Sequence, residues 1–200
     1  MRGELESKIK EAVKILKEGG IVVFPTDTVY GVGCRIDNEE AIRRVYGIKK
    51  RDFSFPFPIL LSQAKDLFFW AKASPIVLKL TGKFWPGPLT LILPAKDNVL
   101  GILKNRKGAA SFRVPDEIIT QELIRKVGVP IVGTSANFHS QKPAKDFLDL
   151  DRNFLALCDF VIEEKCKLGV ESTVLDLTGK RPVILRQGVI SEREIYGALN

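Results

Sequence analysis

Histidine is nearly absent from this chain of 200 residues, which contains only His139. A single histidine excludes a metal site with two histidine ligands and leaves no evident Ser-His-Asp relay, so we predict no protein metal site and no serine nucleophile. Cysteine is scarce as well: Cys34, Cys158 and Cys166 are odd in number, and no two have C-x-x-C spacing. This usage favours a reducing, cytoplasmic environment over a disulfide framework.

Long apolar runs are also missing. No stretch approaches 18 consecutive apolar residues, so we expect no membrane span, and residues 1–8 lack the apolar stretch of a signal peptide. The chain is 45% hydrophobic and 28% charged, which indicates a soluble globular protein, and we predict one domain over residues 1–200. The net charge of +7 favours a polyanionic partner. Basic clusters at 49–51, 104–107 and 165–167 lack interleaved aromatic residues, so RNA contact is expected to be transient at most.

Apolar periodicity predicts alternating helices and strands. One amphipathic helix covers residues 5–16 and ends at Gly19-Gly20, and Asn38 can cap a second helix that runs through Tyr46. Helices are also predicted after Ser62, from Pro75 and from Ser191. Strands are predicted at 21–24, 59–61, 89–93, 109–114, 130–132, 160–162, 174–177 and 183–185, the last two as a hairpin. We therefore predict an α/β fold of α+β-like character, with a twisted, mixed parallel and antiparallel sheet flanked by helices.

The strand at 21–24 runs into a turn rich in small polar groups. Pro25 cannot continue a central ladder, and residues 26–31 read Thr-Asp-Thr-Val-Tyr-Gly. Such groups at the end of a buried strand are typical of ligand pockets in α/β proteins. The alternative is a turn whose Thr and Asp side chains bond their own backbone. Similar junctions occur at 130–137 and 169–176.

A pair of cations lies between the first two junctions. If residues 48–51 are extended, Lys49 and Arg51 face one side and Lys50 faces the other, because side chains alternate along a strand. The same alternation would place Ser135 and Asn137 together. Two cations and two neutral polar groups around one cavity favour an anionic ligand such as a nucleotide phosphate.

Seven short motifs follow one another in a specific order along the chain. They are PTDTVYG at 25–31, Lys49-x-Arg51, WPGPLT at 85–90, FRVP at 112–115, TSAN at 134–137, ESTV at 171–174 and LRQG at 185–188. Their joint order and spacing resemble those of YrdC-type threonylcarbamoyl-AMP synthases in the single-domain form. The resemblance extends from Ile21 to Ile190 and implies a YrdC-like fold.

The resemblance also implies a reaction. L-Threonine, bicarbonate (or carbon dioxide) and ATP would give threonylcarbamoyl-AMP and pyrophosphate, an intermediate in threonylcarbamoyladenosine modification of tRNA. No protein nucleophile is required, so the enzyme must align the reactants and neutralise phosphate charge, with Mg²⁺ accompanying the ATP. A tRNA or a tRNA-modifying transferase complex would be a transient partner.

Roles for individual residues follow from the same resemblance. Lys49 and Arg51 are expected to act as the catalytic cations on the phosphates. The complete ATP-binding set is Lys49, Arg51, Ser135, Asn137 and Arg186. The residues expected to bind threonine are Thr28, Arg113, Gly133 and Ser172. The residues expected to hold these binding residues in place, without contacting the substrates, are Thr26, Tyr30, Thr134 and Thr173.

Three places depart from the family pattern, one of them being residues 138–141, which read Phe-His-Ser-Gln where a Ser-Gly turn is usual. Phe55 stands where a polar substrate contact is often found, and Ala109 stands where many members have threonine. One interpretation is that Phe53, Phe55 and Phe57 alternate as the buried face of a strand or flap. The other is that the chain is a paralogue that keeps the pocket and activates a different carbamate. A third hypothesis, of another class, is an RNA-binding module without catalysis.

Overall fold

The computed structural model describes residues 2–139 and 141–199, so Met1, Ser140 and Asn200 of the predicted 1–200 domain lie outside the described residues. In the described ranges the chain forms seven α-helices and ten strands. The helices are α1 Arg2–Lys17, α2 Glu39–Lys49, α3 Leu67–Trp70, α4 Pro75–Phe84, α5 Ile118–Val127, α6 Arg152–Leu155 and α7 Glu192–Leu199. The strands are β1 Val22–Phe24, β2 Gly31–Gly33, β3 Ile59–Leu60, β4 Leu89–Pro94, β5 Ala109–Arg113, β6 Ile131–Val132, β7 Thr134–Ser135, β8 Phe160–Val161, β9 Thr173–Asp176 and β10 Val183–Arg186.

The mixed parallel and antiparallel pairing confirms the predicted fold class, but the strands form two sheets instead of one. The smaller sheet has the order β7-β2-β1-β8 and the larger one β10-β9-β4-β5-β3-β6. The sheets meet where β2 approaches β6, and the Val132 N–H donates to the Cys34 carbonyl at 2.8 Å. A Cβ on Gly33 would lie 1.7 Å from the Val132 carbonyl oxygen, so only glycine permits this approach.

Two apolar clusters hold the sheets and helices together. In the smaller cluster, α1 packs against α5 and β1 through Ile9, Leu16, Phe24 and Leu123. The larger cluster fills the space around the six-stranded sheet, α2 and α4, with Tyr46 and Phe112 among its fully buried side chains. These contacts fix the strand ends whose loops carry polar residues.

Several element boundaries differ from the sequence prediction. Asn38 caps α2 as predicted, by accepting a 2.9 Å hydrogen bond from the Ala41 N–H, but the helix continues to Lys49. Ser62 does not cap the helix after it, because its hydroxyl donates to Asp66 and a 3₁₀ turn at Ala64–Asp66 precedes α3. The sequence prediction lacks strands β2 and β7 and helices α5 and α6. The hairpin of β9 and β10 is confirmed.

Candidate functional site

A cavity of about 370 Å³ opens where the two sheets meet. Residues of β2 and β7 from the smaller sheet line it together with residues of β3, β4, β5, β9 and β10 from the larger one. Of the residues predicted for the site, those that line the cavity are Thr26, Thr28, Tyr30, Arg51, Arg113, Gly133, Thr134, Ser135, Ser172 and Arg186. Three predicted residues lie behind this wall: Lys49, Asn137 and Thr173.

The predicted extended geometry of residues 48–51 is wrong. Helix α2 runs through Lys49, and Lys50 adopts a left-handed conformation with φ of 48°, donating its N–H to the Gly47 and Tyr46 carbonyls. The left-handed residue ends the helix and turns the chain, so Lys49 and Arg51 do not lie on the same face of a strand. Lys50 lies outside the cavity, with its ammonium 5.9 Å from the Phe138 ring.

The Arg51 guanidinium faces the cavity without an anionic partner. Its Cζ lies 5.1 Å from the Phe57 ring centroid and 6.0 Å from that of Phe55. Within residues 2–139 and 141–199, neither a hydrogen-bond acceptor nor a carboxylate pairs with it. Burial lowers the pKa of Arg51, but an arginine remains protonated at neutral pH. The cavity therefore presents a cation whose N–H groups are available to an anion.

Lys49, in contrast, is saturated by protein oxygens. Its side chain is almost fully buried, and its ammonium donates to the Ser135 carbonyl at 2.6 Å, the Asn137 carbonyl at 2.6 Å and Asn137 Oδ1 at 2.7 Å. Burial lowers the pKa of Lys49 to about 8, with Arg51 adding to the effect, so the ammonium is still protonated at pH 7. Lys49 thereby ties the end of α2 to the turn after β7.

Ser135 and Asn137 belong to the same network. The Ser135 hydroxyl donates to Asn137 Oδ1 at 2.7 Å, and the Asn137 side-chain amide donates to the Gln141 carbonyl. The Ser135 hydroxyl proton and one of the two Asn137 amide N–H groups are therefore used inside the protein, while Ser135 still lines the cavity.

Arg113 is held at the back of the cavity by an ion pair. Its guanidinium donates to Asp27 Oδ1, to Thr28 Oγ1 at 3.0 Å and to the Gly87 carbonyl at 3.0 Å. Asp27 is 1% exposed and Arg113 is 7% exposed. Burial lowers the pKa of Arg113, and Asp27 opposes that shift. The second carboxylate oxygen of Asp27 is buried without a protein partner.

Arg186 is the third arginine that lines the cavity. Arg186 donates to Glu171 at 2.7 Å and holds Ser172 through both its carbonyl and its hydroxyl, each at 3.1 Å. The Ser172 hydroxyl also bonds the Thr90 hydroxyl at 2.8 Å. These three bonds leave two of the five guanidinium N–H groups of Arg186 for a ligand.

The supporting residues stabilise the loops around the cavity. Thr26 Oγ1 lies 2.9 Å from Thr28 Oγ1 and donates to the Val29 carbonyl at 2.7 Å, so Thr26 makes the local turn bonds while Asp27 pairs with Arg113. Tyr30 bonds the backbone of Glu164 through its hydroxyl, and burial raises the pKa of that hydroxyl to about 12. The Thr173 hydroxyl accepts from the Gly188 and Ile190 N–H groups and so fixes the turn after β10.

Sequence reasoning missed part of the cavity wall. The missed polar residues are Ser54, Thr90, Asn105, Ser111 and Glu171. Alternation along β5 could have revealed Ser111, because Ala109, Ser111 and Arg113 are two residues apart and all line the cavity. The idea that Phe53, Phe55 and Phe57 form one buried face is wrong: Phe57 is fully buried, whereas Phe53 is 50% and Phe55 62% exposed.

In residues 2–139 and 141–199, no three His, Cys, Asp or Glu side chains form a group that could hold a metal ion. In the same ranges, no helix is long and apolar enough to cross a membrane.

The chain belongs to the Sua5/YciO/YrdC family. The family profile, which is described as telomere recombination, matches residues 14–188. This match covers most of the chain and all the cavity-lining residues.

Individual relatives resemble the chain over nearly its whole length. A protein of Methanocaldococcus jannaschii, provisionally named as a threonylcarbamoyl-AMP synthase, is 34% identical over 92% of this chain and 89% of its own length. The threonylcarbamoyl-AMP synthase of Pyrococcus abyssi is 34% identical over 95% of this chain, which spans 56% of that longer protein. The crystal structure of P. abyssi Sua5 complexed with L-threonine superposes with a TM-score of 0.90 at 33% identity, covering 96% of this chain and 57% of that one. Escherichia coli YciO gives a TM-score of 0.86 at 27% identity, covering 94% of this chain and 92% of its own.

Proposed function

We propose that this chain is an L-threonylcarbamoyladenylate synthase, a nucleotidyltransferase that makes threonylcarbamoyl-AMP and pyrophosphate from L-threonine, bicarbonate or CO₂, and ATP. The observation that carries the proposal is the Arg51 guanidinium, which has no acceptor in the described protein, in the same cavity as Arg113, Thr28 and Ser172. A site of this kind suits one polyanion and one small polar molecule together. The named synthases among the relatives support the proposal.

The reaction needs alignment and charge neutralisation. The threonine amine adds to CO₂ and loses a proton to form a carbamate. A carbamate oxygen then attacks the α-phosphorus of ATP, the bond from that phosphorus to the bridging oxygen breaks, and pyrophosphate leaves with its electron pair. Charge grows on the departing phosphates, and Arg51 and the two spare N–H groups of Arg186 would neutralise it.

Mg²⁺ enters this proposal as part of the substrate. Glu171 is the one carboxylate among the cavity-lining residues of the described chain, and it is paired with Arg186. The ion would therefore be held by the ATP phosphates and not by a set of protein ligands.

Threonine is proposed to bind at the inner end of the cavity. Arg113 would meet its carboxylate, Thr28 and Ser172 its polar groups, and the Gly133 carbonyl its amine. Lys49, Ser135 and Asn137 would act on the ATP side, with Lys49 shaping the turn that carries Ser135.

Further parts of the proposal concern the setting of the reaction. Residues 1–200 would act as one domain in the cytoplasm, an environment consistent with Cys34, Cys158 and Cys166 as free thiols. The product would pass to a transferase complex that modifies tRNA, with any direct tRNA contact transient.

One observation favours a second candidate. Phe55 and Ala109 line the cavity at two positions where the family resemblance implies polar residues, which would suit a paralogue that activates a different carbamate. Measuring pyrophosphate release separates the candidates. The synthase requires threonine and bicarbonate together and prefers threonine over serine. Release that depends on another amine or on carbamoyl phosphate would favour the paralogue, and RNA binding without any release would favour the binding module.

A further inference from the structure

Phe55 stands beside Arg51 at the mouth of the cavity. Its side chain is 62% exposed, although the residue lines the cavity and its ring centroid lies 6.0 Å from the Arg51 Cζ. Phe57, in contrast, is fully buried, and its ring centroid lies 5.1 Å from the Arg51 Cζ. The Arg51 guanidinium therefore lies near two rings: that of Phe57, which belongs to the core, and that of Phe55, which lines the cavity.

The segment that carries Phe55 is fastened to α2. The Phe55 N–H donates to the Asp52 carbonyl at 3.2 Å, and the Tyr46 hydroxyl donates to the Phe55 carbonyl at 3.4 Å. The rings of Tyr46 and Phe57 stack with centroids 4.0 Å apart. The Phe55 ring therefore projects from a backbone segment that the Tyr46–Phe57 stack anchors on α2.

A guanidinium without an acceptor needs another restraint if it is to be ready for an anion. A cation–π contact with an aromatic face supplies one, since it leaves the N–H groups of the guanidinium available for phosphate oxygens. We propose that Phe55 is a positioning residue of the phosphate site: its ring holds the Arg51 guanidinium toward the cavity. The identity of the ligand as ATP rests on the proposed function, but the contact between Phe55 and Arg51 can be tested with a polyphosphate alone.

The test uses calorimetric binding of tripolyphosphate and of ATP to the full chain. Phe55→Leu is expected to weaken both ligands by about two- to fivefold, the range of a cation–π contact at an exposed site. Phe55→Tyr keeps an aromatic face and should bind within twofold of the wild type. Phe53→Leu is the matched control, because Phe53 is also exposed and lies 5.4 Å from Arg43 but does not line the cavity.

A double-mutant cycle decides whether Phe55 acts through Arg51. In an Arg51→Ala background, Phe55→Leu is expected to cause no further loss of tripolyphosphate affinity. An undiminished loss in that background would overturn the proposal, as would a loss for ATP with none for tripolyphosphate, which would place the ring against the base. Equal losses in Phe55→Leu and Phe55→Tyr would also overturn it. Melting curves show whether each variant is folded. If Phe55→Leu is not, Phe55→Met takes its place in the cycle.

The outcomes separate this inference from the proposed function. If wild-type chain shows no threonine-dependent pyrophosphate release but the tripolyphosphate cycle gives the expected coupling, the synthase assignment fails and the role of Phe55 stands. If release is normal and the coupling is absent, the synthase assignment stands and Phe55 is not a positioning residue.

Discussion

At the scale of single residues, the cations at the cavity differ in how many of their N–H donors are still free to bind a ligand. Arg113 is paired with Asp27, Arg186 is partly paired with Glu171, and Lys49 is saturated by three oxygens. Arg51 alone among these four has no acceptor within the described ranges. Phosphate binding should therefore be most sensitive to Arg51.

Substitution of Arg51 tests this ranking. Arg51→Ala should slow pyrophosphate release about ten- to a hundredfold, because charge-assisted hydrogen bonds contribute about 1.5–3 kcal/mol each. Arg51→Lys should recover only part of the rate, since an ammonium lacks the planar fork. Lys50→Ala is the neighbouring control and should stay near the wild-type rate. A rate for Arg51→Ala equal to that of the wild type would move the phosphate site elsewhere.

Lys49 should behave differently from Arg51. Its ammonium donates to Ser135 and Asn137. Lys49→Ala should therefore lower both the melting temperature and the rate, because it leaves buried oxygens without a donor. Thermal unfolding followed alongside the rate tests this, and a loss of rate with unchanged melting would show that Lys49 acts on the ligand only.

Asp27 and Arg113 form the most deeply buried ion pair of the site. Asp27→Ala should lower the free energy of unfolding by about 3–5 kcal/mol, because it leaves the Arg113 charge buried without its partner. The double variant Asp27→Ala/Arg113→Met should recover part of that loss. Urea unfolding measures both. A cost below about 1 kcal/mol for Asp27→Ala would mean that the pair is not closed in solution.

At the scale of elements, the cavity depends on how closely β2 approaches β6. Gly33→Ala would place a methyl group 1.7 Å from the Val132 carbonyl oxygen, so the two sheets would have to separate. We expect this variant to lose about 1–3 kcal/mol of unfolding free energy or more. Gly47→Ala is the contrasting control: a Cβ in α2 meets nothing within 4 Å and should stabilise by about 0.4–1 kcal/mol. Urea midpoints of the two variants should shift in opposite directions, and equal shifts would contradict the close approach.

The sequence predicted the elements better than the way they assemble. Three predictions were confirmed: the amphipathic helix α1, the Asn38 cap and the β9–β10 hairpin. Each of these features depends on residues that are close together in the sequence. Strands β2 and β7 are three and two residues long and contain glycine and small polar residues, so they carry no apolar alternation to detect. The end of α2 depends on the left-handed conformation of Lys50, which lysine rarely adopts.

At the site, likewise, the sequence predicted which residues come together better than how they pair with one another. Ten of the thirteen predicted site residues line one cavity, because the motifs around them mark strand ends that the fold brings together. The internal pairing of Lys49 with Asn137 and of Arg113 with Asp27 depends on contacts between residues more than 80 positions apart. Local patterns carry no signal for such contacts.

At the scale of the whole molecule, the central claim is that threonine and CO₂ are joined to AMP in this one cavity. Incubation with ATP, L-threonine and ¹³C-bicarbonate, followed by mass spectrometry of the adenylate, tests it most directly. We expect threonylcarbamoyl-AMP whose mass rises by one unit with the labelled carbon and which disappears when threonine is omitted. An adenylate without the label, or one formed equally well without threonine, would contradict it.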